Sequence, residues 1–328
     1  MRFISIIAAP LAIALIVPVA AAKRKAPATS GWTAGQEKTA PAVSDPAYAA
    51  FDSGHYLKAE KLAKAAAAKG SKTASTLLGV LYEKGLGVPQ NFKAAAEWYA
   101  KGAALGDVDA QFSIGVMLAE GRGIKKNKSQ AAQFFEMAAK QKHPVALYNL
   151  AIIYTAGSER EKDLKKAAQL IEQSANLGYA PAQYDLAGFY KQGLNQSGNG
   201  VVPDNKKATY WLGKAAENGH TNAELEYGIA LIRGSGVPKN AQRGVAFIRR
   251  AANKGNPVAQ NRMAVAYRTG LGVERNLVEA AKWHLLSRQG GYSDFKLDVM
   301  VSELPEKDQK AAKKAAYDFQ QRGDALLQ

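Results

Sequence analysis

The chain has 328 residues, with 44 Lys and Arg against 28 Asp and Glu, four His, no Cys and a formal net charge of +16. This length is typical of two domains, and an apolar content of 47% is enough to build a core, which excludes a wholly disordered chain. The lack of Cys excludes disulfides, thiolate metal sites, Cys nucleophiles and lipid attachment to an N-terminal Cys. The four His are scattered, which argues against a metal site built from several of them.

Residues 1–22 have the pattern of a secretory signal peptide. Arg2 precedes an uncharged run, Phe3 to Ala22, that is rich in Ile, Leu, Val and Ala and ends in three Ala before Lys23. We expect cleavage after Ala22, a mature chain that begins at Lys23, and a periplasmic or secreted location. An uncleaved membrane anchor is the alternative, because twenty uncharged residues just reach the length of a bilayer span. No later segment of the sequence is apolar enough to cross a membrane.

Residues 23–46 are predicted to be a flexible linker. They consist largely of Lys, Ala, Pro, Thr, Ser and Gly, with few apolar residues that could anchor them to a core. Burial of so little apolar surface does not offset the entropy lost on ordering such a segment.

A period of 36 residues organises most of the remaining chain. Three kinds of residue recur at this spacing, and their agreement across the chain excludes a chance repeat. One interval is 41 residues long, and its five extra residues fall in a segment of loop composition, 195–200. The small-residue column is Ala74, Ala110, Ala146, Ala182, Ala223 and Ala259. The large apolar column is Leu62, Trp98, Phe134, Leu170, Trp211, Phe247 and Trp283. The third column is Gly70, Gly106, Lys142, Gly178, Gly219, Gly255 and Gly291.

Each period predicts two helices. Leu77, Leu78 and Leu81 have helical spacing, and the Gly-Leu-Gly-Val-Pro segment 85–89 then ends the helix, since Gly permits positive φ and Pro cannot continue a helix. A second helix follows and ends at the glycine column. We expect Trp98 and its equivalents to fill the space between the helices, opposite small residues.

This pattern resembles the Sel1-like repeat, a relative of the tetratricopeptide repeat. The resemblance implies an all-α fold, a right-handed superhelical solenoid of antiparallel helix pairs whose first helices line the concave side. The third unit departs from the pattern, because Gly157 is followed by Ser-Glu-Arg (158–160) without a second Gly, so its turn is expected to differ. The residues that carry the resemblance are Ala74, Leu78-Gly79, Leu81-Tyr82, Gly85-Leu86-Gly87-Val88, Glu97-Trp98-Tyr99 and Gly106, with Ala182, Tyr184, Tyr190, Gly193, Trp211 and Gly219, and Ala259, Tyr267, Gly270-Leu271-Gly272-Val273 and Trp283.

The mature chain is therefore divided into repeats with a cap at one end. A degenerate first repeat covers 47–73 and six repeats cover 74–293. Residues 294–328 break the period and are predicted to form C-terminal capping helices, because a stacked array needs a polar-faced end. Leu297, Met300, Val301 and Leu304 are expected to pack on the last repeat.

No catalytic or metal-binding constellation is apparent. The Gly-x-Gly turns follow helices and lack a third Gly, so they are turns and not phosphate loops. His55, His143, His220 and His284 do not have the spacing of metal ligands, and Glu224 and Glu226 point to different sides of a helix. The hydrolase activity assigned to some Sel1-like proteins belongs to Cys-rich forms. We therefore expect no enzymatic activity, cofactor or metal.

The candidate partner-binding residues lie on the first helices. Their third positions include Phe112, Tyr148 and Tyr184, which either form an aromatic ladder on a concave face or pack between neighbouring helices. Between Ala223 and Arg275 there are nine basic and three acidic residues. The binding candidates of this basic segment are Arg233, Arg262 and Arg268, and the alternative is a solvated basic surface without a site.

The function implied by the resemblance is that of a scaffold. We expect an exported, periplasmic adaptor that binds a partner protein or peptide of the cell envelope, in signalling, envelope assembly or regulation of polysaccharide production. The alternative is binding of an anionic polysaccharide or cell-wall glycan in a basic, aromatic-lined groove. Nucleic acid is not an expected partner, because export removes the protein from the cytoplasm.

Overall fold

The computed structural model describes residues 45–193 and 202–325, and within them the predicted all-α fold of consecutive helix pairs is confirmed. The predicted signal segment 1–22, nearly all of the linker 23–46 and the insertion 195–200 lie outside the described residues. The helices are α1 (Pro46–Asp52), α2 (Tyr56–Ala68), α3 (Lys72–Lys84), α4 (Phe92–Ala104), α5 (Val108–Glu120), α6 (Lys128–Lys140), α7 (Pro144–Ala156), α8 (Leu164–Asn176), α9 (Ala180–Gln192), α10 (Asn205–Glu217), α11 (Thr221–Arg233), α12 (Ala241–Asn253), α13 (Pro257–Thr269), α14 (Leu277–Gln289), α15 (Phe295–Glu303) and α16 (Glu306–Ala325).

The described residues belong to two compact units, 45–170 and 171–325, with the boundary inside α8. Within each unit, the two helices of a pair pack on each other, as α3 does on α4 and α11 on α12, and the second helix of a pair packs on the first helix of the next pair, as α4 does on α5 and α12 on α13. The right-handed superhelical twist concerns the whole array and stays a prediction. No helix of the described residues is both long and apolar enough to span a bilayer.

Capping side chains and left-handed glycines set the ends of these helices. Ser71 accepts a hydrogen bond from the backbone amide of Ala74 at the start of α3, and Asn91 does the same for α4. The first helix of the pair ends at Gly85, whose φ of 67° is left-handed and whose amide donates to the carbonyl of Leu81. The same devices recur in later pairs, which explains why α3 to α14 all have 13 residues.

In the pairs α3/α4 and α5/α6 the interhelical space is filled by the residue after the apolar column, whereas the column residues Leu170, Phe247 and Trp283 of later pairs are themselves buried, as expected. Tyr99 is fully buried against Gly79, where a Cβ atom would lie 2.5 Å from the ring, and Phe135 is buried against Gly115 in the next pair. Trp98 is only half-buried at the edge of this core. The expectation for Trp98 was therefore wrong by one residue, a rotation of about 100° around the helix.

The last two helices cover the end of the final repeat. Leu297 of α15 is fully buried, and Phe319 of α16 lies edge-on to Trp283 of α14 at 5.3 Å between ring centroids. The buried His284 of α14 has its Nε2 2.8 Å from the Asp298 carboxylate of α15. The capping helices are therefore joined to α14 by both apolar and polar contacts.

Candidate functional site

Phe112, the first aromatic candidate, contacts the N-cap of the next repeat. Its ring stacks on the imidazole of His143 with 4.7 Å between centroids and 21° between planes. The His143 Nδ1 accepts a hydrogen bond from the amide of Ala146 and so caps α7. One face of Phe112 is thus already covered from within the protein.

Tyr184 repeats this arrangement in the second unit. Its ring stacks on His220 at 4.3 Å, and its hydroxyl donates to Oε1 of Glu226 at 2.6 Å. Burial, together with the hydrogen bond to Glu226 and the charge of that carboxylate, raises the pKa of the Tyr184 phenol. Burial also lowers the pKa of His220, against the opposing charge of Glu226. A neutral imidazole is consistent with its capping role, because Nδ1 accepts from the amide of Ala223.

The same helical position packs towards the following repeat in other pairs as well. Tyr148 is buried, with 7% of its surface exposed, and Leu225 is buried in the core of the second unit. The side-chain amide of Asn261 donates to Asp294, the N-cap of α15, at 3.4 Å. The aromatic candidates therefore sit at a position of inter-repeat packing, and an additional role in partner binding stays a prediction.

The three arginine candidates differ in what surrounds them. Arg233 and Arg262 are exposed, and within the described residues neither forms a hydrogen bond or ion pair. Arg268 is half-buried, and its charge helps to lower the pKa of Asp294. Burial acts to raise the pKa of Asp294, but hydrogen bonds from Asn261 and from backbone amides of α15, together with Arg268, outweigh it.

These arginines do not all share one helical face. Arg262 and Arg268 lie six residues apart on α13, which places them about 120° apart around the helix axis. Lys239, in the turn before α12, is exposed and unpaired like Arg233 and Arg262. Lys239 belongs to a turn, so a prediction restricted to the first helices does not include it.

Several other basic residues of this segment serve the fold. Glu224 is completely buried on α11, and its Oε1 accepts from Arg250 Nε at 2.8 Å and from Lys254 Nζ at 2.9 Å. Arg250 also donates to the carbonyl of Ala216 at 3.0 Å. The basic excess of this segment is thus partly used to neutralise a buried carboxylate.

Glu224, Arg250 and Lys254 form what we call the Glu224 cluster. Within it, Glu224 occupies a position at which several other repeats have a glutamine. Gln111, Gln183 and Gln260 occupy the equivalent position, and each donates to a carbonyl of the preceding helix, that of Ala103, Ala175 and Ala252 respectively. Ala216 is the equivalent carbonyl for Glu224. A carboxylate cannot donate, so the Arg250 guanidinium supplies the missing hydrogen bond. The column of Gln at the repeat period was the sequence signal that could have revealed this cluster.

No metal-binding cluster is found among the described residues. Within them, no three His, Asp or Glu side chains are grouped so that they could hold a metal ion. His143 and His220 are helix caps, and His284 is buried against Asp298. Glu224 and Glu226 lie in separate environments, as their spacing predicted.

The comparisons with known proteins agree with the geometry. The Sel1 repeat family model matches residues 73–107, 108–143, 144–179, 180–220, 221–256 and 257–292. No protein among the curated sequences matches the chain.

Two solved structures share the fold at 27% sequence identity. One is a Sel1 repeat protein from Oxalobacter formigenes, with a TM-score of 0.65 over 74% of this chain and 98% of that one. The other is a protective antigen of uropathogenic Escherichia coli strains that displays an SLR fold, with a TM-score of 0.50 over 80% of this chain and 64% of that one. The similarity covers nearly all of the first protein and about two thirds of the second.

Proposed function

Because the chain belongs to the Sel1 repeat family, a family of non-catalytic scaffolds that generally mediate protein–protein interaction, we propose that it is an exported adaptor that binds a partner protein or peptide of the cell envelope. The proposal includes removal of residues 1–22, a mature chain that begins at Lys23, and the absence of enzymatic activity. It is supported by the signal-like N-terminus of the sequence and by the non-catalytic character of the family.

The observation that carries the proposal is the pair of unpaired arginines on the second unit. Arg233 on α11 and Arg262 on α13 are solvent-exposed, although the carboxylate of Glu226 lies on α11 and that of Glu274 lies in the turn after α13. Unpaired guanidinium groups on rigid helices are ready donors for the carboxylates of a protein partner, since no internal ion pair has to break first. The expected partner surface is therefore acidic.

A protein partner fits the aromatic candidates better than a glycan does. Sugar recognition by stacking needs an exposed ring face. Phe112 and Tyr184 each have one face covered by a histidine and are also packed against a core cluster, and Tyr148 is buried. We therefore propose a protein partner, and the experiment below also detects a polysaccharide if one is bound instead.

The test is crosslinking in cells that produce the protein, followed by capture and mass spectrometry. We expect wild type to capture a specific envelope protein, and Arg233→Ala/Arg262→Ala to lose most of it. The matched control, Lys58→Ala/Lys61→Ala, removes two exposed and unpaired charges of α2 and should capture as wild type does. Recovery of anionic glycan alone, or of no specific protein, contradicts the proposal. Detection of mature protein that begins at Met1 contradicts the export part.

A further inference from the structure

The third helix-to-helix turn of the array lacks a close contact that the other described Gly-x-Gly turns make. In those turns the second glycine lies against the first residues of a preceding second helix. A Cβ atom on Gly123 would lie 2.1 Å from the carbonyl oxygen of Phe92, and one on Gly272 would lie 2.5 Å from that of Ala241. Only glycine permits this approach. Glu159 occupies the position in the third turn, and it meets Lys128 at the start of α6 through its side chain, with 3.7 Å between Oε1 and Nζ.

The same turn also lacks the apolar residue that follows the second glycine elsewhere. Val88, Val237 and Val273 are partly buried against the core of their own repeats. The third turn has Arg160 instead, and its guanidinium turns away to pair with Glu136 at 2.8 Å. Because Glu159 and Arg160 stand where the other turns have a glycine and an apolar residue, the third turn has neither the close backbone approach nor the partly buried valine.

The result is a cleft of about 440 Å³ inside the first unit, between α6, α7 and the third turn. Its apolar wall is formed by Phe135, Ile152 and Ile153 with several alanines. Ile153 is half-buried, whereas its equivalents Leu81 and Met117 are fully buried. A cleft of this volume lies within the range of pockets that hold small ligands or a large side chain.

Asn149 gives the cleft a specific polar group. It lies on the cleft wall with 93% of its surface buried, and its amide nitrogen donates to the Val145 carbonyl at 2.9 Å. Among the described residues, no donor reaches its amide oxygen. Asn149 lines the open cleft, so a ligand that donates to its amide oxygen takes the place of water and is oriented by this hydrogen bond.

The rim of the cleft carries charges of both signs. Glu120 and Glu159 stand beside Lys126 and Lys128, so the rim is electrically balanced. This balance favours an uncharged group in the cleft, flanked by a polypeptide with residues of either sign. An aromatic side chain with an N–H or O–H donor meets these requirements together, since it is apolar, large and has one hydrogen-bonding edge.

We propose that this cleft of the first unit is a binding site that takes a tryptophan-like side chain from the partner, with its ring against Phe135, Ile152 and Ile153 and its N–H donating to Oδ1 of Asn149. The inference rests on the proposed function for the source of the side chain. The cleft itself is tested without any knowledge of the partner.

The probe is N-acetyl-5-fluorotryptophanamide, observed by fluorine NMR in the presence of the full mature chain. We expect saturable broadening of the probe signal with wild type. The double substitution Glu159→Gly/Arg160→Val rebuilds the sequence of the other turns and refills the cleft, so we expect it to abolish binding while the melting temperature stays equal or rises. Glu161→Ala, in the same turn but outside the cleft, is the matched control and should bind as wild type does.

A second variant separates the hydrogen bond from the volume of the cleft. Asn149→Leu is expected to weaken the indole probe about ten-fold, the upper end of the range for one hydrogen bond, while leaving N-acetyl-4-fluorophenylalaninamide unaffected. Absence of saturable binding to wild type overturns the inference, and so does undiminished binding to the refilled variant. Either result leaves the Arg233/Arg262 capture experiment intact, so failure of the cleft and failure of the proposed function are distinguishable.

Discussion

At the scale of single residues, backbone conformation explains most of the glycine column. Gly106 ends α4 with a φ of 81°, and a Cβ atom there would touch nothing within 4 Å, so conformation and not space selects glycine. Lys142 occupies the same position after α6 with a φ of 62°, and it is the only non-glycine residue with positive φ in the described part of the chain. A side chain in this conformation costs about 1–2 kcal/mol. Lys142 is therefore a local weakness of the second repeat.

Lys142→Gly should stabilise the protein by up to about 1 kcal/mol, because relief of the left-handed strain is partly offset by the greater freedom of glycine in the unfolded chain. Denaturation in urea measures the gain. The reciprocal change, Gly106→Lys, should lose a similar amount at the equivalent position of the preceding repeat. A lower melting temperature for Lys142→Gly would contradict the strain argument.

Burial is strongly unequal within the Glu224 cluster, and this inequality predicts unequal effects of mutation. The Glu224 side chain is 0% exposed, whereas Arg250 and Lys254 are 45% and 41% exposed. Removal of both cations leaves a buried charge without partners, whereas removal of the carboxylate lets the cations turn to water. We expect Arg250→Ala/Lys254→Ala to cost about 3–5 kcal/mol and Glu224→Gln to cost clearly less.

The cluster also permits a rescue experiment. Glu224→Gln in the background of the double alanine variant should restore much of the lost stability, because a Gln there can donate to the Ala216 carbonyl as Gln183 does to that of Ala175. Thermal melts of the wild type and these three variants give the coupling free energy. If the triple variant is no more stable than the double variant, then the buried charge is not the source of the loss.

At the scale of helices, the N-cap residue of the first helix in a pair can link two repeats. His143 and His220 each cap a helix through Nδ1 and stack on an aromatic ring of the preceding repeat. Asn256 caps α13 without such a ring, because the residue of the preceding repeat that is equivalent to Phe112 and Tyr184 is Leu225. The aromatic column and the cap column therefore vary together, which explains why the exposure of Phe112 and Tyr184 could not be derived from their own helices.

Acidification should weaken the contact between α9 and α11 through His220. Burial holds the pKa of His220 in the folded protein below its unfolded value near 6.5, so the unfolded chain binds more protons in this pH range. The free energy of unfolding therefore falls as the pH drops below about 6.5, until His220 is protonated in the folded state as well. His220→Asn keeps a capping side chain, as Asn256 does for α13, and has no group that titrates. Melting temperatures between pH 7.5 and 5 should fall further for wild type than for His220→Asn. Parallel pH curves would show that His220 does not contribute.

At the scale of the whole molecule, features that depend on local spacing were predictable and those that depend on neighbouring repeats were not. The 36-residue period predicted the helix pairs, because the Ala, Leu and Gly positions of one repeat define its own helices. The absence of a second glycine in the third turn predicted a local difference, but the cleft depends also on the missing valine and on Phe135 of the preceding pair. The ion pair of Arg250 depends on Glu224 of α11, which stands where several other first helices have a glutamine. Arg233 and Arg262 were recognisable as charges but not as unpaired ones.

The C-terminal helices should be necessary for a soluble array, because α16 covers the last repeat. Trp283 is 3% exposed, packs against Phe319 and lies in the same core as Leu297. A chain that ends at Ser293 exposes this apolar surface, so we expect a red shift of tryptophan emission and concentration-dependent association in analytical ultracentrifugation. Tyr317→Ser is the control, since Tyr317 lies on α16 but is 59% exposed. A shortened chain that stays monomeric with unchanged emission would show that α14 is stable without its cover.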